Sequence, residues 1–208
     1  MILKRKLFVS LLLTIMLSAV LMACSSSTKL PLLAGDAVIL AFGDSLTFGT
    51  GAALGESYPA VLERLVGRRV VNEGVPGEIT SEGLERLPEV LKREKPVLLI
   101  LCHGANDLLR FLDKRQAVSN LRAMIRLARE KGAVVVLVGV PSLGITLSPE
   151  PSYLEIAAEM KIPIEEETLT KVLSDGFLKS DVIHPNAAGY RKLAESIADL
   201  LRQSGAVE

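Results

Sequence analysis

The sequence predicts an α/β fold, a parallel sheet with helices on both faces. Three observations carry this. Short apolar runs alternate along the chain with segments of helical period. Two of the runs, PVLLILCHG (96–104) and AVVVLVGVP (133–141), are apolar almost throughout, as strands covered on both faces are. Strand alternating with helix is also the pattern of βαβ units, which wind strands in parallel.

The elements follow in order. AVILAF (37–42), bounded by Gly, predicts a first buried strand. SYPAVLERLVG (57–67) sets Tyr58, Val61, Leu62 and Leu65 at helical spacing, and RRVVNEG (68–74) predicts a second, shorter strand. TSEGLERLPEVLKRE (80–94) is helical, with Leu84, Leu87 and Leu91 on one stripe. Pro88 is expected to distort that helix, because proline has no N–H to bond. After the strand at 96–104, AVSNLRAMIRLAREKG (117–132) is amphipathic and closes on Gly132 as a C-cap. Past the strand at 133–141, SLGITLSPEPSY (142–153) is the longest irregular stretch, and its place after a strand sets it beside any active site. NAAGYRKLAESIADLLRQSG (186–205) is the final helix. No repeat or linker interrupts residues 36–208, which read as one domain.

Composition bounds the function. Apolar residues make up 49% of the 208, and charged residues 23%, as in a globular protein. Basic and acidic residues balance at 24 each, which argues against a nucleic-acid partner.

The N-terminus is separate from the fold. Residues 1–23 carry a basic start at Lys4, Arg5 and Lys6, then an apolar run from Leu7 to Met22, the layout of a secretory signal. Removing it leaves 21 basic against 24 acidic residues. LMAC (21–24) resembles the lipobox of bacterial lipoproteins. That resemblance implies lipidation of Cys24, a flexible tether over 24–35, and attachment to a cell-envelope membrane without a spanning helix. With Cys24 lipidated, Cys102 has no disulfide partner.

In open α/β sheets, sites form outside the carboxyl ends of the strands. Gly43-Asp44-Ser45 follows the first strand, NEGVPGEI (72–79) the second and HGAND (103–107) the third, while SDVIHPNAAG (180–189) precedes the last helix. A serine hydroxyl needs a base to become a nucleophile. The chain has two histidines, His103 and His184. His184 is the better base, because Asp181 three residues earlier can orient its ring. His103 reads as a packed or rim-lining imidazole. Donors for a developing oxyanion are the N–H of Ser45, the N–H of Gly77 and the side-chain amide of Asn106, which could equally form an Asx turn. The serine does not sit in G-x-S-x-G, and neither phosphate-loop glycine motifs nor HExxH or CxxC metal patterns occur.

FGDSLTFG, NEGVPGEIT, GAND and DVIHPNAAG resemble, in order, the four sequence blocks of the GDSL or SGNH hydrolases, most closely the bacterial thioesterase/arylesterase/lysophospholipase subgroup. The resemblance runs from about residue 37 to 202. It implies a flavodoxin-like three-layer fold with about five parallel strands in order 2-1-3-4-5. It also implies Ser45 as nucleophile, Asp181 and His184 completing a triad, and Ser45, Gly77 and Asn106 as the oxyanion hole. Asp44 then hydrogen-bonds within its turn. No metal or cofactor is implied. Pro76 and Ile79 replace small hydroxyl residues common in relatives, and Phe111 with Leu112 is expected to wall the acyl pocket.

The expected activity is hydrolysis of carboxylic esters or thioesters (aryl ester, acyl thioester or lysophospholipid) through an acyl-enzyme, by a monomer. An envelope carbohydrate O-acetyl deacetylase or acyltransferase is the enzymatic alternative, and a non-catalytic binding lipoprotein the remote one.

Overall fold

The computed structural model describes residues 28–142, 144 and 146–208. The signal segment and Cys24 lie outside the described residues. The main sheet has five parallel strands: β1 (Val38–Gly43), β2 (Arg69–Gly74), β3 (Leu98–Cys102), β4 (Val134–Val138) and β7 (Ile164–Glu165). Their order is β2-β1-β3-β4-β7, which is the expected 2-1-3-4-5 arrangement. A two-stranded antiparallel ribbon, β5 (Pro141–Ser142) with β6 (Ser148–Pro149), lies within the stretch read as irregular.

Helices form the outer layers. One layer packs α2 (Tyr58–Val66) and α7 (Thr168–Ser174) on the long α8 (Ala187–Ser204); the other packs α3 (Thr80–Glu94) and α6 (Pro151–Met160) on α5 (Lys114–Glu130). Two short helices, α1 (Ser45–Phe48) and α4 (Ala105–Leu109), follow β1 and β3. All of β3 and the inner run Ile39–Phe42 of β1 are fully buried. Each large aliphatic side chain there contributes roughly 1.5–3 kcal/mol by leaving water.

Three differences from the sequence reading have physical reasons. Helix α3 runs through Pro88 unbroken, held by the buried stripe of Leu87, Val90 and Leu91 against the loss of one backbone bond. Residues 142–175 hold α6, β7 and α7, elements too short for a clear period, and these supply the fifth strand. The described part of the expected tether is not loose. Leu30 N–H donates to Ser204 O and Leu33 N–H to Ala206 O, both at 2.9 Å, and the Leu33 side chain is buried. That segment runs past Val38, Val97 and Val134, at the edge where the strands begin.

Register sets the site. Gly43 pairs with both Gly74 and Cys102, so β1, β2 and β3 end at one level and their following loops emerge side by side. Glycine is required at 43 because a Cβ there would lie 1.8 Å from the Cys102 carbonyl oxygen.

Candidate active site

Ser45 opens α1 directly after β1. Asp44 caps that helix: its Oδ1 accepts the Leu46 N–H at 3.0 Å. Asp44 is fully buried, and burial raises its carboxyl pKa against the opposing influence of His103 and of the Leu46 and Ala105 N–H groups. It is therefore a turn-former, as expected. From the last helix, Tyr190 donates its hydroxyl to the Thr50 carbonyl at 2.8 Å, which ties α8 to the serine loop.

His184 and Asp181 reach the same point from the loop before α8. His184 Nε2 lies 3.0 Å from Ser45 Oγ, and His184 Nδ1 lies 2.8 Å from Asp181 Oδ2. Asp181 Oδ1 accepts the N–H groups of Ile183 and His184, each at 2.8 Å, so the carboxylate holds both the ring and the turn. Desolvation works against its charge, but these three donors outweigh it and keep its carboxyl below the usual range. The chain of contacts from Ser45 Oγ through imidazole to carboxylate has the geometry for activating a hydroxyl by general base catalysis.

The oxyanion candidates occupy the neighbouring loops. Gly77 has φ of 82°, a left-handed conformation that glycine adopts without strain, and a Cβ there would meet only the tip of Arg110. Arg110 Nη2 donates to the Gly77 carbonyl at 2.7 Å. Asn106 does not form an Asx turn. Its Nδ2 donates one hydrogen to the Glu78 carbonyl at 3.0 Å, across to the second loop, which leaves the amide's other hydrogen for a ligand. Asp107 clamps the same two loops, accepting the Thr80 N–H at 2.9 Å and the Thr80 hydroxyl at 2.6 Å.

An apolar pocket of about 220 Å³ opens beside the serine. Leu46, Ala105, Leu108, Leu147, Leu173 and Ile183 are among its walls. Phe111 and Leu112 are not among its lining residues, which corrects the expectation. Helix α4 stops at Leu109, and the chain turns at Phe111 with φ of 54°, leaving that ring 88% exposed. The walls come instead from Leu46, next to the serine, and from the 141–147 segment and α7, where the sequence carried no period.

The remaining singled-out residues make no hydrogen bond to the Ser45 hydroxyl. His103 is fully buried and bonds Glu78. Burial pushes the Cys102 thiol well above its ordinary value, so it stays protonated, and it is unpaired among the described residues. Among the described residues no group of three or more His, Cys, Asp or Glu side chains could hold a metal ion.

Glu78 and Arg86 were missed from sequence. Their signal was an acid beside Gly77 with a cation eight residues on, inside the helix that follows. Glu78 is buried, which opposes its charge, yet the Arg86 guanidinium and the His103 ring outweigh burial and hold its carboxyl down to about 2. A depressed carboxyl contributes stability above its unfolded value near 4.5 and loses it as pH falls toward about 2. Urea titrations between those limits should show wild type losing about 3 kcal/mol more than Glu78→Gln. Equal losses in both proteins would contradict the pairing.

Comparison with known proteins gives a consistent picture. The sequence model of the GDSL-like Lipase/Acylhydrolase family matches residues 41–192. The chain is 32% identical to Esterase TesA of Pseudomonas aeruginosa over 205 residues, covering 90% of this chain and 98% of that one. It is 27% identical to the thioesterase 1/protease 1/lysophospholipase L1 of Escherichia coli, over 79% of this chain and 83% of the relative. Among solved structures, TesA superposes with a TM-score of 0.71 at 30% identity, covering 80% of this chain and 99% of that one. The SGNH-hydrolase family esterase AlinE4 gives 0.63 at 29%, over 82% and 97% of the two chains.

Proposed function

The chain belongs to the GDSL-like Lipase/Acylhydrolase family and is an ester or thioester hydrolase, and from that premise we propose that Ser45, His184 and Asp181 cleave short- to medium-chain acyl esters or thioesters. The carrying observation is the pair of contacts at 3.0 and 2.8 Å that links Ser45 Oγ to His184 and His184 to Asp181. Ser45 attacks the acyl carbonyl while His184 takes its proton. The leaving alcohol or thiol departs with that proton, and water then releases the acyl group from Ser45 by the reverse sequence. The N–H groups of Ser45 and Gly77 and the free hydrogen of the Asn106 amide face the oxyanion of each tetrahedral intermediate.

The apolar pocket favours acyl chains longer than acetyl, and so favours this reading over glycan deacetylation. Its volume, about 220 Å³, is below the range of about 300–1,000 Å³ typical of drug-sized ligands, which favours chains shorter than palmitoyl. A series of p-nitrophenyl esters should give highest kcat/KM at butyryl to octanoyl. Leu147→Trp, which fills the pocket, should cut octanoyl turnover roughly 10-fold against acetyl, since each buried methylene is worth about 0.8 kcal/mol. A profile highest at acetyl, unmoved by Leu147→Trp, returns the reading to deacetylation.

The protein works as a monomer, the proposed triad coming from one chain, and is exported and lipidated at Cys24. The support for export and lipidation is the basic start, the apolar run and LMAC at 21–24. The first described residues also run along the sheet edge opposite the serine, so an anchor there leaves the site open. Wild type is expected in the membrane fraction and Cys24→Ala outside it; identical fractionation argues against lipidation.

A further inference from the structure

We propose that the buried cluster of Glu78, Arg86 and His103 is a positioning device that holds the Gly77 and Asn106 donors in place before substrate arrives. The proposal rests on the reading of those two residues as oxyanion donors given above.

Glu78 directly follows Gly77, and its backbone carbonyl is the acceptor that fixes the Asn106 amide at 3.0 Å. The position of residue 78 therefore sets both donors. Two groups from two elements hold its side chain through three hydrogen bonds. Arg86, on α3, donates Nε to Oε1 and Nη2 to Oε2, each at 2.8 Å, the two-point grip that a guanidinium makes on a carboxylate. His103, at the end of β3, places Nε2 3.1 Å from Oε2. The Gly104 N–H donates to His103 Nδ1 at 2.9 Å, so that nitrogen is an acceptor and the ring hydrogen sits on Nε2, facing Glu78.

The holders are themselves held. Arg86 also donates to the Glu73 carbonyl on β2 at 3.1 Å, and its guanidinium stacks over the Phe42 ring of β1 at 4.2 Å. His103 is fully buried against Gly83 of α3, where a Cβ would lie 2.3 Å from Nε2. Residue 78 thus cannot shift without moving α3, β1 and β3 together. A surface turn needs no buried carboxylate held by three hydrogen bonds from two ionisable partners; burying one is costly unless it is paired and hydrogen-bonded. Electrostatic catalysis does need such a frame, because donors fixed in advance do not reorganise as the charge forms.

A purely structural cluster and a positioning one differ in kinetics. The measurement is kcat and KM for p-nitrophenyl butyrate on full-length Glu78→Gln, His103→Leu, His103→Gln, Asn106→Ala and the double variant Glu78→Gln/Asn106→Ala, each checked for folding by circular dichroism at the assay temperature. Asn106→Ala should lower kcat roughly 100-fold, as loss of one oxyanion donor does. Glu78→Gln and His103→Leu should each lower kcat roughly 10- to 50-fold with KM within about twofold, and His103→Gln, which keeps a donor facing Glu78, should recover most of that loss. In the Asn106→Ala background Glu78→Gln should cost clearly less than it does in wild type, because the part of its effect that runs through Asn106 is already gone and only the part through Gly77 is left. Folded single variants that keep wild-type kcat, or losses that multiply in full in the double variant, overturn the proposal while the donor reading stands. An Asn106→Ala variant with unchanged kcat overturns both. If Glu78→Gln is unfolded, the His103→Leu and His103→Gln pair decides alone.

Discussion

Ser45→Ala is expected to lower kcat for p-nitrophenyl butyrate by roughly 10⁴- to 10⁶-fold with the fold intact, as removal of a serine nucleophile does where base and oxyanion donors act only through it. The reasoning is local. The Ser45 hydroxyl reaches one described side chain, His184, at 3.0 Å. What holds the α1 turn is elsewhere: the Asp44 cap on Leu46 and the Tyr190 bond to Thr50. Removing Oγ thus deletes the attacking atom and leaves the turn's bonds in place. Steady-state kinetics with thermal unfolding alongside checks it: retained turnover, or a collapsed melting temperature, contradicts the assignment.

Asp181→Asn is expected to have the next largest effect, roughly 10²- to 10⁴-fold in kcat with little change in KM, as substitutions at the orienting acid of a triad have. Asparagine is the informative replacement because it keeps one oxygen. Asp181 Oδ1 can still accept the Ile183 and His184 N–H groups, so the loop retains its shape. What changes is the atom facing His184 Nδ1. A carboxylate oxygen accepts the ring hydrogen there and leaves Nε2 free as a base; an amide N–H turned toward Nδ1 reverses the tautomer and points a hydrogen at Ser45. Asp181 is half exposed, so water can partly replace it, and the lower end of the range reflects that. Pre-steady-state kinetics should show acylation slowed as well as deacylation, since His184 serves both; loss in only one step contradicts a shared base.

Much of this site was legible in the sequence because its residues follow strands. Ser45, Gly77 and Asn106 each come within a few positions of the end of β1, β2 or β3, and the shared register of Gly43, Gly74 and Cys102 brings those ends level. His184 stood out as one of two histidines with an acid a turn away. The main strands were legible for the same reason, as runs buried on both faces. The acyl pocket was not. Its walls include Leu147 and Leu173, from a ribbon segment and a seven-residue helix whose pattern is too short to show a period, while the conspicuous Phe111 points to solvent. Nor could local pattern show that His103 turns inward. Its environment depends on Gly83 leaving room and on Glu78 and Gly104 meeting its two nitrogens, contacts set by tertiary packing of α3 on β3.

The central claim is that Ser45 carries the acyl group, and covalent trapping tests it most directly. Wild type treated with a fluorophosphonate ester should lose activity in step with the gain of one phosphonyl group per chain by intact mass. Peptide mapping should place that group on Ser45, and Ser45→Ala should gain none. Inactivation with the label on another residue, or full inactivation with no covalent mass on the chain, contradicts the account.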